Sequence, residues 1–364
     1  MSAVQPLRVL VVDDSVTIRR LVSDGLTKEP DIEVVGTASN GRLAIMKVPL
    51  LRPDVIIMDV DMPEMNGLEA VTELRRQGNA TPILMFSALT QDGAKVALDA
   101  IARGANDCLG KPSGGLQKSM EYLQENVVPA LRAIAGRPTS LAPGPRRSLR
   151  ARPRPPSTGP APRADALLIG TSTGGPNALN ELLPKLPGDF PVPVLLTQHM
   201  PPVFTGILAQ RLDARCPLSV SEAKDGDAIV AGRVLVAPGD FHMEVDGPPS
   251  APVVRLTQGP KENSCRPAVD VMFRSAVERW HANLLGVVMT GMGRDGARGS
   301  EAIVAAGGRV ITQDQATSVV YGMPRHVHEG GFSDGIFPLA ELAGEIVKRV
   351  AQRRGASVAR GRVA

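Results

Sequence analysis

Residues 137–163 hold seven arginines and eight prolines and no acidic residue. Proline lacks an amide donor and fixes φ, and arginine is costly to bury, so this stretch cannot build a core. It reads as an extended, semi-rigid linker. The 364-residue chain is thereby divided into parts that must each bury their own apolar residues: 1–136 before the linker and 164–353 after it. A disordered tail is expected over 354–364. The whole chain is formally +4 and the linker carries +7, so everything outside it sums to −3. The basicity belongs to this one segment and not to the folded parts; with no interleaved aromatics the segment reads as solvated, a tail for nucleic acid or an acidic partner being the other reading, and no nucleic-acid partner is expected. With only 3% aromatic residues, the cores must rest on Val, Leu, Ile, Met and Ala. No run of about 18 apolar residues is present, so no integral membrane segment is expected. Met1 to Asp14 has no basic region of the secretory kind. Cys108, Cys216 and Cys265 are odd in number and lack zinc-like spacing, which points to reduced thiols and a cytoplasmic protein.

In the first part, short apolar runs alternate with amphipathic segments. Strands are expected at 7–13, 32–38, 54–59 and 82–88, with a weak fifth ending near Lys111. Helices are expected at 15–28, with Ser15 as N-cap, and at 41–50, 67–77, 92–102 and 115–134. Five βα repeats imply a parallel sheet with helices on both faces. The second part begins another such series, with strands at 166–170, 192–198, 284–290 and 308–313. Helices are expected at 176–183, 203–214, 267–280, 296–306 and 338–352. Segments 233–238, 241–245 and 252–257 read as strands with hairpin connections. The fold class is thus α/β twice over, the second domain mostly parallel and doubly wound with a β insert.

In such sheets ligands sit at the carboxyl ends of the strands. In the first part Asp13, Asp14 and Asp59 fall there, with Ser87 ending the fourth strand and Lys111 the fifth. Each acid alone could be a helix N-cap. Converging carboxylates repel, and a hard divalent cation relieves that repulsion. In the second part, Gly170 to Gly175 matches G-x-S-x-G between a strand and a helix, a turn that lifts Ser172 out at the sheet edge. On this motif alone, a Gly-rich phosphate loop with a capping serine is the other reading. A serine nucleophile needs a base and an orienting acid. Of the five histidines, His199 follows the strand 192–198 and shares that edge. His242, His281, His326 and His328 read as surface or core residues. Asp295, in the Gly-rich loop after strand 284–290, is the best-placed acid; Asp225, Asp240 and Asp270 are less well placed.

The motifs VVDDS, MDVDMPEMNG, a serine ending strand four, and GKP resemble the receiver domain of two-component response regulators, a flavodoxin-like (βα)5 fold. That resemblance implies that Asp59 accepts a phosphoryl group and that Mg²⁺ is held by Asp13, Asp14, Asp59 and the Asp61 carbonyl. It also implies that Ser87 and Lys111 engage the phosphoryl group. Cys108 stands where many receivers carry a switching aromatic, a departure from the pattern. The motifs IGTSTGGP, QHMPPVFT and VMTGMGRDGARG, with FRSA and YGMP, resemble the catalytic domain of chemotaxis protein-glutamate methylesterases. This second resemblance implies a serine hydrolase with Ser172 as nucleophile, His199 as general base and Asp295 as orienting acid. The oxyanion donors are expected to be amides near Thr173 and Met292. The implied reaction is phosphorylation-activated hydrolysis of glutamate methyl esters on methyl-accepting chemoreceptors, with deamidation of certain receptor glutamines. No cofactor is implied for the ester chemistry, and a chemotaxis histidine kinase is the implied phosphodonor. The unphosphorylated receiver is further expected to cover the hydrolase cleft.

Overall fold

The computed structural model describes residues 5–112, 114–136 and 164–351. The expected linker 137–163 and tail 354–364 lie outside them. The chain divides into two compact units, 1–145 and 146–364.

In the first unit the order is β1 (Leu7–Val12), α1 (Val16–Leu26), β2 (Ile32–Ala38), α2 (Gly41–Leu51), β3 (Val55–Asp59), α3 (Gly67–Arg76), β4 (Ile83–Ser87), α4 (Gln91–Ala102) and β5 (Asp107–Gly110). The strands pair in the order β2-β1-β3-β4-β5, every pair parallel. β3 and β4 are buried throughout, which is why they read as unbroken apolar runs. Ser15 caps α1 as expected, its hydroxyl accepting from the Ile18 amide. The single helix expected over 115–134 is instead α5 (Leu116–Tyr122), a π-helical stretch Leu123–Val127 and α6 (Val128–Ile134). Pro129 has no amide to continue the ladder, and a widened turn directly before it accommodates that loss.

The second unit opens with β6 (Ala166–Thr171), α7 (Gly175–Leu182), a 3₁₀ turn at Leu183–Lys185, β7 (Val194–Gln198) and α8 (Phe204–Asp213). β8 (Ser219–Glu222), β9 (Arg233–Val236), β10 (His242–Asp246) and β11 (Val253–Thr257) come next. It closes with α9 (Val269–Trp280), β12 (Leu284–Val288), α10 (Ala297–Ala305), β13 (Arg309–Gln313), α11 (Met323–Glu329), β14 (Ile336–Phe337) and α12 (Leu339–Ala351). Seven strands pair in the order β14-β13-β12-β6-β7-β9-β8, all parallel.

The hairpin reading of 233–257 needs correction. Only β10 and β11 pair antiparallel, whereas β9 lies in the main sheet between β7 and β8. The buried run Val234, Leu235 and Val236 suits a strand covered on both faces. α9 arises from its spacing: Val269, Met272, Phe273, Ala276 and Trp280 recur at helical intervals and are all buried.

Each sheet has a point where the chain reverses its direction of travel across the strands. In the first it lies between β1 and β3; in the second, between β6 and β12. Crevices open outside the carboxyl ends of the strands at such points, and both acidic and nucleophilic residues fall there.

Candidate active site and acidic pocket

In the first unit, side-chain oxygens of Asp13, Asp14 and Asp59 lie within 4.8 Å of one another. Asp13 and Asp59 are buried and Asp14 is exposed. Lys111 Nζ stands 2.8 Å from Asp13 Oδ2 and 2.8 Å from Asp59 Oδ2. Its backbone amide donates to the Ser87 carbonyl at 2.7 Å, fixing the end of β5 against β4. Burial pushes the Asp59 carboxyl up to about 6, with the Asp13 charge adding to the rise and Lys111 opposing it. Burial also works against the Lys111 ammonium, but its two carboxylates outweigh it and the lysine pKa is raised.

Three acids sharing one ammonium remain net negative, and an all-oxygen donor set suits a hard divalent cation. The Ser87 hydroxyl donates to the Ala88 carbonyl at 3.2 Å. Asp61 lies in the short connection between β3 and α3, two residues beyond Asp59, where its carbonyl was expected to serve. Cys108 is buried in β5, opposite Met85 of β4.

In the second unit, the turn after β6 carries Ser172, whose side chain is partly exposed while Thr171 and Thr173 are buried. The turn is held from three sides. The Ser172 amide donates to the Thr290 carbonyl at 3.0 Å, and the Gly175 amide donates back to the Ser172 carbonyl at 2.7 Å. Gln198 Nε2 donates to the Ser172 carbonyl at 3.0 Å and to the His199 carbonyl at 3.1 Å. Gly174 has φ of 78°, a left-handed conformation, and a Cβ there would stand 2.5 Å from Val319 Cβ. Only glycine meets both demands. A Cβ at Gly175 would overlap the Gln198 side-chain oxygen.

His199 comes directly after β7 and donates its amide to the Thr171 carbonyl at 3.1 Å, which brings it beside the serine turn. Its Nε2 donates to Asp295 Oδ2 at 2.7 Å. Asp295 is 1% exposed and sits against the start of α9. Its Oδ2 accepts from the Val269 amide at 2.6 Å, and its Oδ1 accepts from the Asp270 and Gly296 amides at 3.0 Å each. Free amides at a helix start favour a negative charge. Burial alone would raise the Asp295 pKa, but the His199 hydrogen bond and charge and these amides outweigh it, leaving the carboxyl below its ordinary value. Asp295 is therefore an ionised acceptor that fixes the imidazole with its proton on Nε2. The amides of Thr173 and Met292 have no acceptor among the described residues. Ser172 Oγ likewise makes no hydrogen bond among them.

The structure thus brings the loops carrying Ser172, His199 and Asp295 to one edge. The other histidines with hydrogen bonds serve the fold. Nε2 of buried His242 lies 3.0 Å from the Pro260 carbonyl, and Nδ1 of His326 lies 2.9 Å from the Gly322 carbonyl. Asp240 pairs with Arg266 at 2.6 Å, and Asp225 accepts from the Leu256 amide.

Asp270 is closer to the chemistry than sequence spacing suggested. Asn263 Nδ2 bridges Asp270 Oδ2 at 3.0 Å and Asp295 Oδ1 at 2.9 Å. Burial, then the Asp295 charge, pushes Asp270 up to about 6. Sequence reasoning missed Asn263 and Cys265, whose Sγ lies 3.5 Å from His199 Nδ1. The available signal was the polar run Glu262 to Arg266 directly before an amphipathic helix, and it carries no motif of its own.

Residues 9–121 match the response regulator receiver domain family, and residues 167–346 match the CheB methylesterase family. Similar proteins include a protein-glutamate methylesterase/protein-glutamine glutaminase of a Nocardioides species, 48% identical over 98% of both chains. Another of that name, from Trichodesmium erythraeum, is 44% identical over 94% of this chain and 99% of the relative. The crystal structure of the Thermotoga maritima CheB methylesterase catalytic domain is 40% identical with a TM-score of 0.50, covering 51% of this chain and 98% of that one. With a receiver ahead of a methylesterase domain and near-full-length identity of this order, the chain belongs to the CheB family of protein-glutamate methylesterases/protein-glutamine glutaminases.

Proposed function

We propose that this protein hydrolyses γ-glutamyl methyl esters on chemoreceptors, releasing methanol, and deamidates certain receptor glutamines by the same route, under control of phosphorylation at Asp59. The observation that carries the reading is the Asp295–His199 pair beside a tight, glycine-dependent serine turn.

With its proton fixed on Nε2 by Asp295, neutral His199 has its lone pair on Nδ1, and that nitrogen takes the proton from Ser172 as Oγ attacks the ester carbonyl. The oxyanion is held by the amides of Thr173 and Met292, which have no acceptor among the described residues. Collapse of the tetrahedral species returns the proton to the leaving methoxide, and methanol departs. Water, deprotonated by the same nitrogen, then cleaves the acyl-serine to glutamate. A receptor glutamine takes the same path with ammonia as the leaving group.

In the receiver, Asp59 is the phosphoacceptor and a histidine kinase of the chemotaxis type the donor. Asp13, Asp14, Asp59 and the Asp61 carbonyl would hold Mg²⁺, which when bound neutralises charge on the transferring phosphoryl group. Lys111 pairs with the phosphoryl oxygens, and Ser87 turns its hydroxyl from the Ala88 carbonyl toward them. The reading places both steps in the cytoplasm, a compartment that suits free thiols. No described helix is long and apolar enough to cross a membrane.

The test is methanol release from methylated receptor membranes by the full chain, with and without a phosphodonor, beside Ser172→Ala. Release raised by the donor and abolished by Ser172→Ala is expected. Equal release by Ser172→Ala and the parent chain would overturn the catalytic assignment.

A further inference from the structure

The nitrogen that must accept the serine proton already has a partner, and it is not the serine. Asp295 can only accept, so His199 Nε2 carries a proton toward it at 2.7 Å. The remaining ring nitrogen, Nδ1, faces Cys265 Sγ at 3.5 Å, within the range of a sulfur hydrogen bond. Cys265 sits in the segment before α9, and its backbone is pinned by reciprocal bonds with Glu262: the Cys265 amide donates to the Glu262 carbonyl at 2.9 Å, and the Glu262 amide donates back at 3.1 Å. Glu262 is itself clamped by Arg274 of α9, at 2.8 and 2.6 Å. The thiol is therefore held in place by α9 and does not drift on a free loop.

We propose that Cys265 is a positioning residue of the hydrolytic site, its thiol holding the proton-accepting nitrogen of His199 between turnovers and yielding it to Ser172 when substrate binds. This rests on the Ser172–His199–Asp295 reading and deepens it. In the neutral state the S–H donates to Nδ1. The titratable groups facing His199 are Cys265 and Asp295. Behind Asp295 stand Asp270 and Arg274 of α9, and Glu262. Burial disfavours the imidazolium, but Cys265 and Asp295 outweigh it, and the His199 pKa lies well above its ordinary value.

The experiment uses the full chain in two arms. The first measures kcat and KM for methanol release by the parent, Cys265→Ser and Cys265→Ala. The kcat stays near that of the parent in Cys265→Ser, which keeps a donor at Nδ1, and falls several-fold in Cys265→Ala with KM little changed. The second arm needs no esterase activity: iodoacetamide alkylation of Cys265, resolved from Cys108 and Cys216 by peptide mass spectrometry. The parent is expected to react about tenfold faster than His199→Gln, because Nδ1 is placed to take the S–H proton as sulfur attacks. Equal kcat in all three chains, or alkylation unaffected by His199→Gln, would overturn the proposal. If the parent released no methanol but the alkylation difference persisted, the esterase reading would fail while the thiol–imidazole coupling stood.

Discussion

At the scale of single residues, burial and charge make opposite demands in the two sites. Asp59 is buried beside Asp13, and its carboxyl is pushed up to about 6; the folded receiver therefore resists its ionised form. The cost is absent below the ordinary value of 3.8, where the acid is protonated folded or unfolded. It grows with pH from there, through about 6, while the unfolded chain ionises freely and the folded one does so only at a penalty, and is constant above. Asp59→Asn should accordingly stabilise the receiver by about 2 kcal/mol at pH 7 and leave it unchanged at about pH 3.5, as read by denaturant titration at the two values. Millimolar Mg²⁺ should raise the melting temperature of the parent chain and do so much less in Asp14→Asn.

Asp295 answers the opposite demand. Its two oxygens accept from the imidazole, three backbone amides and the Asn263 side chain. Asp295→Asn should cut methanol release about 10³- to 10⁴-fold, because the amide no longer holds the imidazole as a carboxylate does. Asn263→Ala should cost less, about tenfold, since the main acceptor geometry survives on the backbone amides.

At the scale of elements, what the sequence made legible was what periodicity and burial encode strongly. β3, β4, β6 and β12 are buried at every position and stood out as apolar runs. α9 stood out by its stripe. β8 did not, because Ser219–Glu222 buries only Val220 and pairs only with β9. β14 has two residues and α11 seven, too short for either period to register.

Ser172, His199, Asp295 and Asp59 could be named because each lies at or just beyond the carboxyl end of a strand, within a recognisable motif. Asn263 and Cys265 could not, since their roles depend on the path of an irregular segment that no short-range pattern specifies. The serine turn itself gives a further expectation: Gly174→Ala meets both the left-handed φ and the Val319 side chain. It should destabilise the second domain by about 1–3 kcal/mol in thermal unfolding and depress activity beyond what that loss of stability accounts for.

At the scale of the whole molecule, the two units have separate sheets, separate cores and sites at separate switch points. The residues assigned to the ester chemistry, Ser172, His199 and Asp295, all lie in the second unit. A chain beginning at residue 164 should therefore retain Ser172-dependent methanol release, and that release should no longer respond to a phosphodonor. A rate above that of the unphosphorylated full chain would bear out the expectation that the receiver restrains the hydrolase, and an equal or lower rate would overturn it.

The Gln198 side chain spans the carbonyls of Ser172 and His199 with one buried amide group. The backbones of nucleophile and base are thereby yoked as a single mechanical part. A change to this one amide would therefore loosen both reacting residues together.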